Sequence, residues 1–133
     1  MDTPSVTTDP EELALMADPR FASAVRLFNQ GQWYACHDGF EELWHETQGP
    51  SRRVLQGILQ IAVAHHHLER GNRRGAMVLL GEGLGRLRPF GEQHLALNIA
   101  SLCTVAADRL QALQRGADPA PLPLPVLQPA AAA

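Results

Sequence analysis

Residues 28–72 read FNQGQWYACHDGFEELWHETQGPSRRVLQGILQIAVAHHHLERGN, and this stretch predicts the fold. Gly49 and Pro50 interrupt it, because glycine favours the end of a helix and proline cannot continue one. Apolar residues recur at helical spacing on both sides of the break. The stretch therefore predicts two helices joined by a tight turn, over residues 32–48 and 50–70.

Helix-start and helix-stop residues extend this pattern over the rest of the chain. Asp9 with Pro10, and Asp18 with Pro19, each place a capping carboxylate before a proline at the first helical position. Glycine or proline follows each later apolar run. No segment alternates like a strand, so we expect no sheet. The predicted helices span residues 10–17, 19–30, 32–48, 50–70, 73–88 and 92–114.

A faint internal repeat favours a particular kind of helix packing. When Gly31 is placed on Gly71, Phe40 falls on Leu80. In both halves a helix ends at glycine, and the next helix presents a small residue where two helices must approach closely. Helical-hairpin repeats follow the same logic. We predict an all-α fold, a compact bundle of five to six helices with tetratricopeptide-like helical-hairpin packing.

The C-terminal residues differ in composition from the rest. Residues 117–133 read ADPAPLPLPVLQPAAAA, and proline at this density rules out helix and sheet. The chain has the length of one domain. We therefore predict a single helical domain over residues 1–116, followed by a proline-rich segment that is either an extended tail or a docked strap. Residues after Gly116 are expected to add little to the core.

Composition and charge exclude several classes of function. The net charge of −3 gives no general attraction to nucleic acid or to an anionic membrane. All eleven basic residues are arginine, which excludes Schiff-base lysine chemistry and a lysine-bearing phosphate loop. The acidic, polar N-terminus predicts no signal peptide, and we expect a cytoplasmic protein. Cys36 and Cys103 lie in apolar contexts and are expected to be reduced and structural.

Histidines and a glutamate form a candidate metal site. His37, Glu41 and His45 lie on one face of the third helix, but a rise of about 1.5 Å per residue keeps the two histidines roughly 12 Å apart. They cannot bind the same ion. Either histidine with Glu41 could supply two zinc ligands, and the third must come from elsewhere. His66 and His67 on the fourth helix are candidates, although successive side chains point about 100° apart.

The favoured interpretation of these polar residues is a buried structural network between the third and fourth helices. Buried polar groups must be hydrogen-bonded, since each lost bond costs about 1–3 kcal/mol. A binding site for a small polar ligand or a metal is the second interpretation, and a catalytic site is the third. The proposed polar cluster consists of His37, Glu41, Trp44, Arg52, Gln56, Gln60 and His67.

The ordered motifs of residues 28–90 resemble a known family. Its pattern is F-N-x-G-x-Y/W-x-x-x-H-E-x-x-E-x-x-W, then a Gly-Pro turn, an arginine, Q-G-x-x-Q-x-A and a histidine-rich end before R-G-N. This all-helical prokaryotic and plastid family is catalogued as domain of unknown function three hundred and nine. The resemblance implies an all-α bundle and supplies no activity; Asp38 replaces the usual glutamate. The matching positions are Phe28, Asn29, Gly31, His37, Glu41, Trp44, Gln56, Gly57, Gln60, Arg70, Gly71 and Asn72.

Two functions fit the sequence. The favoured hypothesis is a small soluble helical binding or scaffold domain, whose partner is a small molecule or a protein; a homodimer through surplus apolar faces is also compatible. The alternative is a metal-dependent or general acid–base enzyme of the hydrolase class, using His37 and Glu41 with His67 or His66 opposite. An enzyme needs an open cleft at these groups, whereas a structural network is sealed. A divalent metal is a compatible cofactor but not the favoured one.

Overall fold

The computed structural model describes residues 7–131 and is an all-α bundle, as predicted. Residues 1–6, to which the signal-peptide expectation applies, lie outside this range. None of the helices within it combines the length and the hydropathy needed to cross a bilayer. The elements in chain order are α1 (Pro10–Ala17), α2 (Pro19–Asn29), α3 (Trp33–Glu46), α4 (Ser51–Glu69), α5 (Arg73–Leu87), a 3-10 turn (Arg88–Phe90), β1 (Gln93–His94), β2 (Leu97–Asn98) and α6 (Ile99–Gln114).

Both Asp-Pro helix starts are present. The carboxylate of Asp9 accepts the backbone N–H of Glu11 at 3.2 Å, and that of Asp18 accepts the backbone N–H of Arg20 at 2.9 Å. A proline follows each cap, where its fixed φ suits the first turn and its missing N–H is not needed. The start residues therefore set the bounds of α1 and α2 directly.

Helices α2 to α6 pack in chain order as consecutive hairpins. The main helix contacts join α2 to α3, α3 to α4, α4 to α5 and α5 to α6. Gly31 and Gly71 end α2 and α4 with φ values of 72° and 77°, a left-handed conformation that glycine adopts without steric cost. Phe40 and Leu80, which the internal repeat equates, are both fully buried. The two halves of the repeat are therefore the hairpins α2–α3 and α4–α5.

Helix α4 is central, because it packs against both α3 and α5. A Cβ added to Gly57 would lie 2.7 Å from Cγ of Leu87, and one added to Gly83 would lie 2.9 Å from the carbonyl oxygen of Gly57. Real Cβ atoms do not approach so closely. Glycine at these two positions therefore lets the backbones of α4 and α5 cross. The fully buried aliphatic side chains of α4 include Val54, Leu55, Ile58 and Ile61.

At residues 92–98 the structure differs from two of the predictions made from the sequence. Helix α6 starts at Ile99 rather than near residue 92, and the residues before it form a hairpin in which β1 pairs with β2. Leu95 and Ala96 occupy its turn with φ values of 54° and 57°. Two-residue hairpin turns of this kind usually carry Asn-Gly or Asp-Gly, so the sequence held no turn signal. The buried carboxylate of Glu12 accepts the backbone N–H of Leu95 at 2.8 Å and helps to hold the turn.

The proline-rich segment is docked, which is the second of the two alternatives predicted for it. We call residues 117–131 the strap. The expectation that this segment adds little to the core is wrong at Leu127, whose side chain is 2% exposed and belongs to the hydrophobic core. A proline-rich chain can dock in this way because its extended backbone loses little further entropy on binding.

Both cysteines are free thiols in the structure. Burial raises the pKa of Cys36 to about 12 and also raises the pKa of Cys103. A thiol with a raised pKa holds little thiolate at neutral pH and is a poor nucleophile. The cysteines therefore fit the structural role predicted for them.

Candidate functional site

One face of α3 brings the predicted His–Glu motif together. The Nε2 atom of His37 lies 3.2 Å from Oε2 of Glu41, and the Nε2 atom of His45 lies 3.6 Å from its Oε1. This arrangement follows from helix geometry, since residues four apart share a face. The glutamate thus stands between two imidazoles, and each imidazole has its own carboxylate oxygen.

Asp38 completes a cluster of possible metal ligands. Its Oδ1 lies 3.3 Å from Nδ1 of His37, so each ring nitrogen of His37 has a carboxylate beside it. His37, Asp38 and Glu41 each offer a ligand atom, and these atoms lie within 4.8 Å of one another. The cluster is accessible, because the side chains of His37 and Glu41 are 27% and 44% exposed. We call these three residues the α3 cluster.

The three histidines of α4 point to different surroundings, as the step of about 100° per residue requires. His66 faces the ring of Tyr34 at a centroid distance of 5.6 Å, and Tyr34 also lies 6.3 Å from His37. The Nδ1 atom of His67 lies 3.2 Å from Nδ2 of Asn72, at the start of α5. His65 points into the core. Tyr34 and His66 therefore extend the surface beside the α3 cluster, while His67 is bonded to the turn after α4.

The other members of the proposed polar cluster are found elsewhere. The guanidinium of Arg52 stacks on the ring of Trp44 at 4.1 Å, joining the two sides of the Gly-Pro turn. Gln60 faces α5, where its Nε2 donates to Glu82 at 2.9 Å and its Oε1 accepts from Arg86 at 3.1 Å. Gln56 is partly buried on α4. The polar side chains of α4 thus serve two different helix contacts.

These contacts show where the seven residues of the predicted buried network lie. Among residues 7–131, the seven residues of the proposed cluster do not share one set of hydrogen bonds. His37 and Glu41 form an accessible group on α3, and Gln60 is the only buried member of the seven. The members of the proposed cluster are separated because the polar side chains of α4 face different neighbours, namely α3, α5 and solvent.

A buried histidine–arginine pair was not predicted from the sequence. His65 lies in the core against Trp33, with its Nδ1 2.8 Å from the carbonyl oxygen of Ile61. Its Nε2 accepts a hydrogen bond from Nε of Arg109 at 3.0 Å, so Nδ1 carries the proton of a neutral ring and donates it to Ile61. Burial, together with a smaller effect of the nearby Arg109, lowers the pKa of His65 to about 4. Burial also lowers the pKa of Arg109.

The sequence did contain a signal for this pair. Arg109 falls on the buried stripe of α6, between Ala106 and Leu113. A charged residue is rarely fully buried unless it has partners, so its position on an apolar stripe predicts polar neighbours in the core. The identity of those neighbours, a histidine on α4 and the backbone of the strap, could not be read from spacing.

A second polar group lies beneath α1. The Nδ1 atom of His94 lies 3.8 Å from Oε2 of Glu12, and its Nε2 lies 2.9 Å from Oγ of Ser51. The order serine, histidine, acid is that of a nucleophilic triad. Ser51 is fully buried, however, and Glu12 is already bonded to the backbone of Leu95. The group therefore fits a role in fastening α1, α4 and the hairpin to one another.

A shallow cavity of about 220 Å³ lies at another place on the surface. It is lined by residues near the start of α6 and by the end of the strap, including Glu92, Asn98 and Ala130. No residue of the α3 cluster lines it. The candidate ligands on α3 thus stand on an open helix face and not in this cavity.

Comparison with known proteins supports the resemblance found in the motifs. Residues 21–79 match the model of a family described as a domain of unknown function (DUF309). The chain is similar to this family. The match covers α2, α3, α4 and the first half of α5, and therefore includes the α3 cluster and His65. No curated protein matches the chain.

The DUF309 match also marks what is outside the shared region. Glu12 and His94 lie beyond residues 21–79, as do Arg109 and the whole strap. The family description gives no activity, so the function of this chain must be argued from its own side chains.

Proposed function

We propose that the protein is a helical binding domain and that the α3 cluster binds a divalent transition-metal ion. The observation that carries the proposal is the position of the His37 ring between two carboxylates, with ligand atoms of all three residues within 4.8 Å of one another. Imidazole and carboxylate are a common donor set for zinc, manganese and iron. Water or a bound partner would complete the coordination.

The distribution of arginines supports this proposal. Arg20 is bonded to Asp18 and to two acids of α3, Glu42 and Glu46, at 2.6–2.8 Å, so it partly offsets the negative charge on the neighbouring side of α3. Asp38 and Glu41 have no arginine partner among the described residues. Asp38 and Glu41 lie about one helical turn apart, and like charges at this spacing repel each other. A bound cation would remove that repulsion.

His45 and Tyr34 lie on either side of the cluster and add to it differently. His45 contacts Oε1 of Glu41, which leaves Oε2 directed at His37 and limits the rotation of the carboxylate. Groups that hold a ligand in place strengthen metal binding. Tyr34 is 65% exposed beside His37 and His66, so a partner that contacts the cluster would also contact an aromatic ring. This is a surface suited to binding.

The binding function fits better than the enzyme alternative because of access. The three ligands lie on about one turn of α3, where Asp38 is exposed and His37 and Glu41 are partly exposed, so water reaches all three. His66 contacts Tyr34 and His67 contacts Asn72 in place of the motif on α3. The proposed opposing base for a hydrolase is therefore not in hydrogen-bonding contact with Glu41 among the described residues.

A zinc titration of protein without a histidine tag tests the proposal. We expect one ion per chain by isothermal titration calorimetry, and Glu41→Gln should weaken binding at least about tenfold. Glu42→Gln is the matched control, because it removes the next carboxylate along, whose partner is Arg20. Since Glu41 is 44% exposed, its substitution should change the free energy of unfolding by less than about 0.5 kcal/mol.

Three results would contradict the proposal. The first is the absence of zinc binding by the parent protein. The second is equal zinc affinity of Glu41→Gln and Glu42→Gln. The third is an affinity that depends on His66 and His67 but not on His37, which would move the site to α4. A large loss of stability in Glu41→Gln would instead favour the structural-network interpretation.

A further inference from the structure

The strap is held by side chains that bond to its backbone. Nη1 of Arg109 donates to the carbonyl oxygens of Pro119, Leu122 and Pro123 at 3.2, 3.0 and 3.2 Å. Arg109 is 5% exposed, and no carboxylate is bonded to it among the described residues. Its buried charge is therefore compensated by backbone dipoles of the strap and by the ring of His65. Without the strap, the guanidinium would lose three acceptors.

A second side chain bonds to the backbone of the strap, at a position eight residues after Pro119. The Nδ2 atom of Asn29 donates to the carbonyl oxygen of Leu127 at 3.0 Å, and its Oδ1 accepts the N–H of Leu127 at 2.7 Å. This pair of bonds satisfies both backbone groups of one residue, as an adjacent strand would. The side chain of Leu127 enters the core at the same point.

The hairpin before α6 supplies the third set of contacts. The N–H of Asn98 donates to the carbonyl oxygen of Gln128, and the N–H of Ala130 donates to the carbonyl oxygen of Ala96, both at 2.8 Å. Leu97 and Pro129 form an isolated antiparallel bridge. The strap thus adds to the edge of the hairpin by backbone pairing, which is a general mode of peptide recognition.

The strap sequence follows from these contacts. Its prolines occupy positions 119, 121, 123, 125 and 129, and none of these residues has an N–H to donate. Leu127 and Ala130, whose N–H groups bind the domain, are not proline. Leu124 is 54% exposed and Val126 is also exposed, whereas Pro119, Pro125 and Leu127 are buried against the domain. What the domain requires is an extended backbone, two N–H groups, one aliphatic side chain and the two buried prolines, Pro119 and Pro125.

We propose that the surface under the strap is a recognition site for an extended, proline-rich segment of a partner protein, and that the strap occupies it as an intramolecular competitor. We call this surface the strap groove; it comprises Asn29, Arg109 and the hairpin residues 96–98. A matching segment has an aliphatic residue other than proline at the position of Leu127, a non-proline residue three residues later, and prolines at the positions of the buried Pro119 and Pro125. This proposal does not depend on metal binding at α3.

The joint between the helical domain and the strap permits exchange. Gly116 follows α6 with a φ of 74°, and residues 114–118 are exposed. Opening the strap therefore requires movement at an exposed connection and breaks no contact within the α2–α5 hairpins. Asn29 lies inside the region that matches DUF309, whereas the strap lies outside it. The other groove residues, Arg109 and residues 96–98, also lie outside that region.

The test uses the full chain with a site-specific protease sequence inserted between Gly116 and Ala117 and cleaved after folding. A fluorescently labelled peptide of residues 117–131 is then titrated into the cleaved protein, and its anisotropy is measured. We expect saturable binding that unlabelled peptide reverses. Asn29→Ala in the protein should weaken binding about tenfold, and the exposed neighbour substitution Gln30→Ala should not.

Peptide variants test whether the strap groove recognises the backbone of the peptide or its exposed side chains. A peptide carrying Ala120→Ser, Leu124→Ser, Val126→Ser and Gln128→Ser changes only exposed side chains and should bind within about threefold of the parent peptide. Leu127→Pro removes a required N–H, and Leu127→Asp removes the aliphatic contact. Each should weaken binding at least about tenfold.

Several outcomes would overturn the proposal. If the uncut chain forms dimers by exchanging straps, the occupant is a second copy and not a partner protein. If the serine-substituted peptide fails to bind, the exposed side chains are recognised and the proposed match is wrong. If release of the strap abolishes the helical circular dichroism, or if the peptide never enters, the strap is a fixed part of the fold. Hydrogen exchange on the intact chain gives an independent measure. Equal protection of the Leu127 amide and the amides of α4 would also exclude local opening.

Discussion

At the scale of single residues, the fold changes the protonation of the buried His65. It is neutral because its Nε2 accepts from Arg109 and its Nδ1 donates to the carbonyl of Ile61. Protonation would place a second positive charge against the guanidinium in the core. A neutral histidine at this position is therefore a condition of the native packing, and the stability of the protein depends on pH through it.

The direction of that dependence follows from the lowered pKa. An unfolded chain binds a proton at His65 below about pH 6.5, while the folded protein binds it only near pH 4. Between these values the unfolded state holds more protons, so the free energy of unfolding falls as the pH falls. The loss across the whole window is about 3 kcal/mol. Denaturant unfolding at a series of pH values measures it.

His65→Gln isolates this contribution. The variant cannot take up a proton at this position, so its free energy of unfolding should vary less between pH 6.5 and 4.5 than that of the parent protein. His45→Gln is the control, since His45 is exposed on α3. The range stops at pH 4.5 because hydrogen bonds from Arg20 lower the pKa values of Asp18 and Glu46, which add their own acid dependence below it. An unchanged pH slope in His65→Gln would disprove the assignment.

Residue-level prediction succeeded where partners are local and failed where they are distant. The contact between His37 and Glu41 follows from their spacing on one helix, and the structure has it at 3.2 Å. The bond between His65 and Arg109 joins residues 44 positions apart. Spacing along one helix contains no information on which distant element faces it, so the partner of a buried polar residue needs the tertiary arrangement.

At the scale of elements, the crossing of α4 and α5 rests on two glycines. Gly57→Ala would place a Cβ 2.7 Å from Leu87 and should destabilise the protein by about 1–3 kcal/mol. Gly81→Ala and Gly85→Ala are matched controls on α5, because nothing lies within 4 Å of a Cβ at either position. Each control should stabilise the helix by about 0.5–1 kcal/mol. Thermal or denaturant unfolding distinguishes the two directions.

The glycine prediction separates packing from helix propensity. If all three alanine variants were stabilised alike, the backbones of α4 and α5 would not be in close contact at Gly57. Only the structure identifies Gly83 as a glycine of α5 at which two helices approach closely. Helical propensity treats every glycine alike, whereas the neighbouring backbone differs at each.

Element bounds were predictable wherever a local signal sets them. Asp9, Asp18, Gly31 and Gly71 end or start helices by their own chemistry, and the bounds there agree with the structure to about one residue. The hairpin at residues 93–98 has no such signal. It is held from outside, by the carboxylate of Glu12 on its turn and by the strap along its edge. Tertiary contacts override local propensity at that point.

Helix α1 shows the same effect in its acidic first turn. Glu11 and Glu12 lie in the first turn of α1, where a negative charge interacts favourably with the helix dipole. In the structure Glu11 instead accepts the N–H groups of Gln48 and Gly49 at 2.9 and 2.6 Å, at the turn between α3 and α4. The two glutamates therefore bind two separate turns, and α1 acts as a clamp across them.

At the scale of the whole molecule, the strap packs against the helical part of the chain. Residues 117–131 contact α2 through Asn29, α6 through Arg109, and the hairpin through its backbone. The sequence could predict an extended segment from its prolines, because that conformation is local. It could not predict the docking site, since the residues that hold the strap lie 98 positions away at Asn29 and ten to fourteen away at Arg109.

A pair of leucines in the strap measures how much of the stability depends on docking. Leu127 is 2% exposed and Leu124 is 54% exposed, although they are three residues apart in the same extended segment. Leu127→Ala should lower the free energy of unfolding by about 2–4 kcal/mol, through lost apolar burial and the cavity left behind. Leu124→Ala should change it by less than about 0.5 kcal/mol. Both values come from denaturant unfolding of the full chain.

The size of the Leu127 effect also bounds how readily the strap opens. A closed strap stabilised by a few kcal/mol remains shut in almost every molecule, yet it opens often enough for a partner segment at sufficient concentration to compete. Leu127→Ala should therefore raise hydrogen exchange at Ala130 while leaving the protection of α4 amides in excess of it. If both leucine variants were equally stable, the strap would lie on the domain without being held by it, and the core assignment of Leu127 would be wrong.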